Sequence, residues 1–176
     1  LGIEYQLLRR EFVGVPERAT RERIERVLVV SGGTDAAGAR QALAAAVRAA
    51  TRDAEIDVVD APRSAAALRD AMLASDVAVS AAGQTLYELA ATGTPTVAVV
   101  VADNQLAQAR AFERAGAVLL AGEWGESGTI ETVTGAVVAL ADPERREAHS
   151  AAARALVDGR GAERLARRLV GEAVAA

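Results

Sequence analysis

The chain has 176 residues and is 51% hydrophobic but only 3% aromatic, enough for one domain with a core of Ala, Val and Leu. Its net charge of −4 is spread over interspersed acids and bases, all 20 of the latter Arg, which argues against a nucleic-acid or anionic-membrane surface. With no Cys and a single His, His149, disulfides, thiolate metal sites and multi-His metal sites are excluded, and no metal or cofactor is expected. No apolar run reaches the ~18–20 residues of a membrane span, so a cytoplasmic protein is the expectation.

Leu1–Phe12 begins without Met and shows no convincing element, and Val15-Pro16-Glu17-Arg18 is charged and turn-prone. Residues 1–24 are therefore expected to be a linker or the tail of an amino-terminal domain absent from this chain, with the folded domain over 25–176. Arg26–Ser31 reads as a buried strand leading into Gly32-Gly33-Thr34-Asp35 and an Ala-rich helix from about Ala36 to Ala50. Glu55–Asp60 is a second strand. Ser64–Ala74 is a helix with Leu68, Met72 and Leu73 as its apolar stripe.

Asp76–Ser80 and Val97–Val101 read as two further buried strands around a short helix that starts at Thr85 and ends in Thr92-Gly93-Thr94-Pro95. A helix from about Leu106 to Ala115 follows, with Gly116 as its C′ residue, and then a short strand at Ala117–Leu120. Beyond Trp124, Thr129–Leu140, Pro143–Asp158 and Ala162–Val174 read as helices. The alternation predicts an α/β fold: a Rossmann-like parallel sheet of about five or six strands with helices on both faces.

Three turns after strands carry groups that suit a phosphate and a sugar. Gly32, Gly33 and Thr34 offer backbone N–H groups at a helix start, or simply a tight turn with Thr34 or Asp35 as its cap. Gly83, Gln84 and Thr85 offer the same for a diphosphate, with Glu88 one turn on as an acceptor for a ribose diol. The alternative is a capping box, since Thr85-x-x-Glu88 fits that pattern directly. Asp103, Asn104 and Gln105 combine donors and acceptors fit for sugar hydroxyls, or cap the following helix. His149, among Arg and Ala on a late helix, reads as a surface residue.

Together these motifs resemble a known family. Ser80-Ala-Ala-Gly-Gln-Thr-Leu-Tyr-Glu-Leu-Ala, Gly93-Thr-Pro-Thr, Ala102-Asp-Asn-Gln and Ser31-Gly-Gly-Thr-Asp resemble the carboxyl-terminal half of the UDP-sugar hydrolase of pseudaminic acid biosynthesis. Glu4-Tyr5, Leu7-Leu8-Arg9 and Glu11-Phe12 resemble the segment that follows that family's amino-terminal domain. More distantly, the chain is similar to the nucleotide-binding half of the peptidoglycan UDP-GlcNAc transferase. The resemblance covers about Gly2 to Phe112 and implies half of a GT-B fold. It implies that Gly83–Thr85 hold the diphosphate of a UDP-sugar, that Glu88 meets the ribose and that Asn104 and Gln105 face the sugar or pyrophosphate. Ala82 and Gln84 depart from the family's Gly and Ser.

The resemblance also places the catalytic His in the amino-terminal domain, so this chain alone is expected to bind the nucleotide without turning it over. Three functions follow as expectations: the UDP-sugar-binding half of a hydrolase, the donor-binding half of a GT-B glycosyltransferase, or a non-catalytic nucleotide-sugar-binding module. A half that lacks its partner is also expected to expose apolar surface at Arg154–Val157 and Leu165–Val170.

Overall fold

The strand segments are apolar at nearly every position because helices cover the sheet on both sides. In the computed structural model, which describes residues 2–31 and 38–174, the strands are β1 (Arg26–Val30), β2 (Glu55–Val58), β3 (Val77–Ala81), β4 (Thr96–Val100) and β5 (Val118–Glu123). Between them run α1 (Ala39–Ala50), α2 (Ala65–Ala74), α3 (Thr85–Ala91) and α4 (Leu106–Arg114). Three helices follow the last strand: α5 (Thr129–Ala139), α6 (Pro143–Leu156) and α7 (Gly161–Val174). All strand pairs are parallel, in the order β2-β1-β3-β4-β5.

Alternation along each strand splits the core in two. Leu28, Val30, Ala78, Ala98 and Val100 pack with Met72 of α2, Leu86 and Leu89 of α3 and Phe112 of α4. Val27, Val29, Val77, Val79, Val97 and Val99 pack on the other side with Leu43 and Val47 of α1 and with Val133 and Val137 of α5. On α2, Leu68 and Met72 are buried as the stripe requires, while Leu73 is only half-buried. The last strand is longer than its sequence suggests: pairing with β4 resumes after an irregularity between Ala98 and Val100 and carries it to Glu123.

Short-range signals set the helix ends. Ser64 accepts the Ala67 N–H at the start of α2, and Asp142 accepts that of Glu144 at the start of α6, where Pro143 takes the first position. Gly116 follows α4 with φ +70°.

Residues 2–24 lie against the domain rather than away from it. They form 3-10 turns at Ile3–Tyr5 and Arg10–Phe12, and Phe12 is 1% exposed. Arg154 of α6 donates to the carbonyls of Val15 and Pro16 at 3.0 Å, and Arg164 of α7 donates to that of Glu4. His149 is half-buried on α6, and burial pushes its imidazole pKa below the ordinary range against an upward pull from the Gly116 backbone. The two segments expected to expose apolar surface also diverge. Val157 is buried, whereas Leu169 and Val170 on α7 are exposed.

Candidate functional site

After β1 the chain crosses to β2 on one side and then returns to β3 on the other, so the carboxyl ends of β1 and β3 flank the switch point of the sheet. A cavity of about 440 Å³ opens beside it. Val30 ends β1 at its wall, the loop Val59–Arg63 after β2 forms one side, and Gln84, Thr85 and Glu88 after β3 form the other. Leu68 of α2 contributes apolar surface, and Leu7 and Arg9 come in from the amino-terminal segment.

Glu88 is the buried charge of this cavity, 5% exposed on the first turn of α3. Its carboxylate does not close a capping box. Gln84, at the N-cap position, has helical backbone angles and makes no side-chain cap hydrogen bond. Glu88 instead accepts from Arg9, whose Nε and Nη2 both approach Oε1, at 2.9 and 2.8 Å. An ionic donor holds a carboxylate more strongly than a neutral backbone N–H does. Burial raises the Glu88 pKa above the ordinary carboxylate range, and the hydrogen bonds and charge of Arg9 pull against that rise.

Other cations at the cavity are committed to partners. Arg63 makes paired hydrogen bonds to Asp57 at 2.7 and 2.5 Å, which hold Asp57 below its ordinary pKa, and Arg40 donates from Nε to Ser31 Oγ at 3.1 Å. Asp60 lies on the same wall.

The turn at Ala82–Gly83 is braced from α4. Gln108 Nε2 donates to the carbonyls of both Ala82 and Gly83 at 2.9 Å. A Cβ on Gly83 would meet only Gln105 Nε2, at an ordinary 3.5 Å, so the domain's own packing does not demand glycine there. Gln84 is tied to the amino-terminal segment: its Oε1 accepts from Gln6 Nε2 at 3.1 Å, and its Nε2 donates to the Leu7 carbonyl at 3.4 Å.

The structure gathers Gln84, Thr85 and Glu88 into one cavity, whose lining does not include Gly83. Asp103, Asn104 and Gln105 form a 3-10 turn outside the cavity lining. Neither Asp103 nor Asn104 caps α4, since no side-chain cap hydrogen bond forms at either end of that turn. Gln105 turns back so that its Oε1 accepts the Val101 N–H at 3.0 Å. Gly32, Gly33 and Thr34 lie outside the described residues. Sequence reading passed over Arg9, Arg40, Asp60, Arg63 and Gln108 as site residues. Only Arg9 carried a signal, as part of Leu7-Leu8-Arg9. Among the described residues no group of three or more His, Asp or Glu could hold a metal ion, and no helix is long and apolar enough to cross a membrane.

A parallel five-stranded sheet of this kind has counterparts among solved glycosyltransferases. The glycotransferase of kitacinnamycin superposes with a TM-score of 0.59 at 22% identity, over 92% of this chain and 47% of that one. LpCGTa in complex with UDP gives 0.61 at 20% identity, over 88% of this chain and 42% of that one. The fold is that of a GT-B glycosyltransferase domain. The spinosyn forosaminyltransferase SpnP agrees, at 0.59 and 19% identity, over 90% of this chain and 47% of that one. The chain thus spans less than half the length of these GT-B proteins. No family model matches the chain. Over 39 residues, 22% of this chain, it is 54% identical to the pseudaminic acid cytidylyltransferase and UDP-2,4-diacetamido-2,4,6-trideoxy-beta-L-altropyranose hydrolase of Helicobacter pylori (strain ATCC 700392 / 26695), of which it covers 8%.

Proposed function

We propose that the chain is the nucleotide-sugar-binding half of a GT-B-type enzyme, holding the donor while a second domain brings the acceptor or the water. The observation that carries this reading is the buried carboxylate of Glu88 at the wall of a cavity placed at the carboxyl ends of the strands. An ionised acceptor in a half-enclosed cavity suits neutral hydroxyl donors, and the ribose of a nucleotide presents two. In this reading Gly83, Gln84 and Thr85 contact the diphosphate, and Asp103–Gln105 contact the sugar. The UDP complex of LpCGTa and the thymidine diphosphate complex of the glycosyltransferase SsfS6 support a nucleoside diphosphate as the ligand class.

Calorimetry with UDP tests this. The wild-type chain binds, and Glu88→Gln weakens binding by about ten- to a hundredfold, as expected for losing a hydrogen bond to a charged acceptor. Absence of binding to the wild type overturns the reading. The same substitution should leave the unfolding temperature unchanged or higher. A carboxyl group whose folded pKa is raised stabilises below its unfolded pKa and loses that contribution as pH rises through the folded one, whereas a neutral Gln keeps it.

The short match to the Helicobacter pylori protein favours a second reading, in which the same half serves a hydrolase that releases UDP and free sugar. In a protein carrying both halves, free sugar formed from a UDP-sugar without any acceptor supports the hydrolase. Turnover that requires an acceptor supports the transferase.

A further inference from the structure

We infer that Arg9 is a positioning residue for nucleoside recognition: it anchors one oxygen of Glu88 so that the other is presented to a ribose hydroxyl. The inference rests on the nucleotide-binding reading and adds to it a residue from outside the strand-turn motifs. Both contacting nitrogens of Arg9, Nε and Nη2, converge on Oε1. Among the described residues no hydrogen bond reaches Oε2, yet the fully buried side-chain atoms without partners are only Arg18 Nη1 and His149 Nδ1. Oε2 therefore keeps solvent access, on a residue that lines the open cavity.

Arg9 is itself held in place. Its Cζ stands 5.3 Å from the centre of the Phe12 ring, and Phe12 is 1% exposed. The Gln6–Gln84 hydrogen bond fixes the same segment three residues earlier. The other charged groups at the cavity do not compete for Glu88. Arg63 is bonded to Asp57, Arg40 to Ser31, and Asp60 is a like charge. What a half-satisfied carboxylate in such a cavity lacks is a neutral O–H donor, because its ionic partner is already in place.

The test compares UDP with 2′,3′-dideoxy-UDP on the 176-residue chain, in wild type, Arg9→Ala and Arg9→Lys. Wild type should prefer UDP by about tenfold or more. Arg9→Ala should bring that preference close to one by weakening UDP alone, and Arg9→Lys should restore part of it through its single charged donor. A purely structural role would weaken both nucleotides equally, and that result overturns the inference. So does tighter UDP binding by Arg9→Ala, which would mean that Arg9 blocks the carboxylate. An unchanged preference in Arg9→Ala sinks the role of Arg9 while leaving the nucleotide site standing. A wild type that binds neither nucleotide sinks the site itself.

Discussion

Asp76 and Glu88 are both nearly buried, at 1% and 5% exposed, yet they titrate in opposite directions. Burial opposes the charge of each, and the difference lies in what they accept. Asp76, just before β3, takes the backbone N–H groups of Glu25 and Arg26 at 2.8 and 3.0 Å and Arg21 Nη1 at 2.8 Å, which outweigh burial and hold its pKa below the ordinary range. Glu88 has Arg9 alone, and burial wins. A lowered folded pKa gives stability that is present above the unfolded value and is lost as pH falls through the folded one. Asp76→Asn should therefore cost about 1–3 kcal/mol at neutral pH, with the gap to wild type closing as pH drops below about 4. Urea midpoints measured across pH 2–7 check this, and a gap that stays constant would contradict it. The sequence shows Asp76 only as the polar end of a strand. Its partners lie some 50 residues away, so no local pattern points to them.

At the scale of the element, local rules located most helices and strands to within a residue or two. Apolar runs, N-caps such as Ser64 and Asp142, and Gly at helix ends are short-range signals. They failed where a distant group offered a better partner. Thr85-x-x-Glu88 has capping-box spacing, but a guanidinium from the amino-terminal segment takes the carboxylate. Gly93 shows a helix end whose importance depends on packing as well. Its φ is +65°, and a Cβ there would come 2.7 Å from Ser150 Oγ and 2.8 Å from Arg154 Cδ on α6. Gly93→Ala should cost about 2–4 kcal/mol by adding left-handed strain to the clash, read as a lower urea midpoint. A loss below about 0.5 kcal/mol would contradict both the strain and the clash.

Over the whole molecule, the amino-terminal segment and the α6–α7 connection pack against each other. A Cβ on Gly161 of α7 would clash with the Gln6 carbonyl, and one on Gly159 would meet that of Phe12 at 2.5 Å, so the amino-terminal segment lies directly on the α6–α7 connection. Phe12 is the anchor of this closure. Phe12→Ala should cost about 3–5 kcal/mol of stability and, by loosening Arg9, lower UDP affinity as well. Thermal unfolding and calorimetry on the same variant check both effects. Full retention of UDP affinity would separate the segment from the site.

The sequence by itself determined the parallel α/β architecture, because short continuous apolar runs and small-residue turns between alternating elements are written locally. It also put Gln84, Thr85 and Glu88 after the central strand. Only the tertiary structure decided which face of the sheet each valine serves, since both faces are apolar. It alone brought Arg9 across 79 residues to Glu88, and the β2–α2 loop with Arg63 to the same cavity. Such pairings depend on how distant segments are brought together by packing, and a single sequence carries no periodicity that spans that distance.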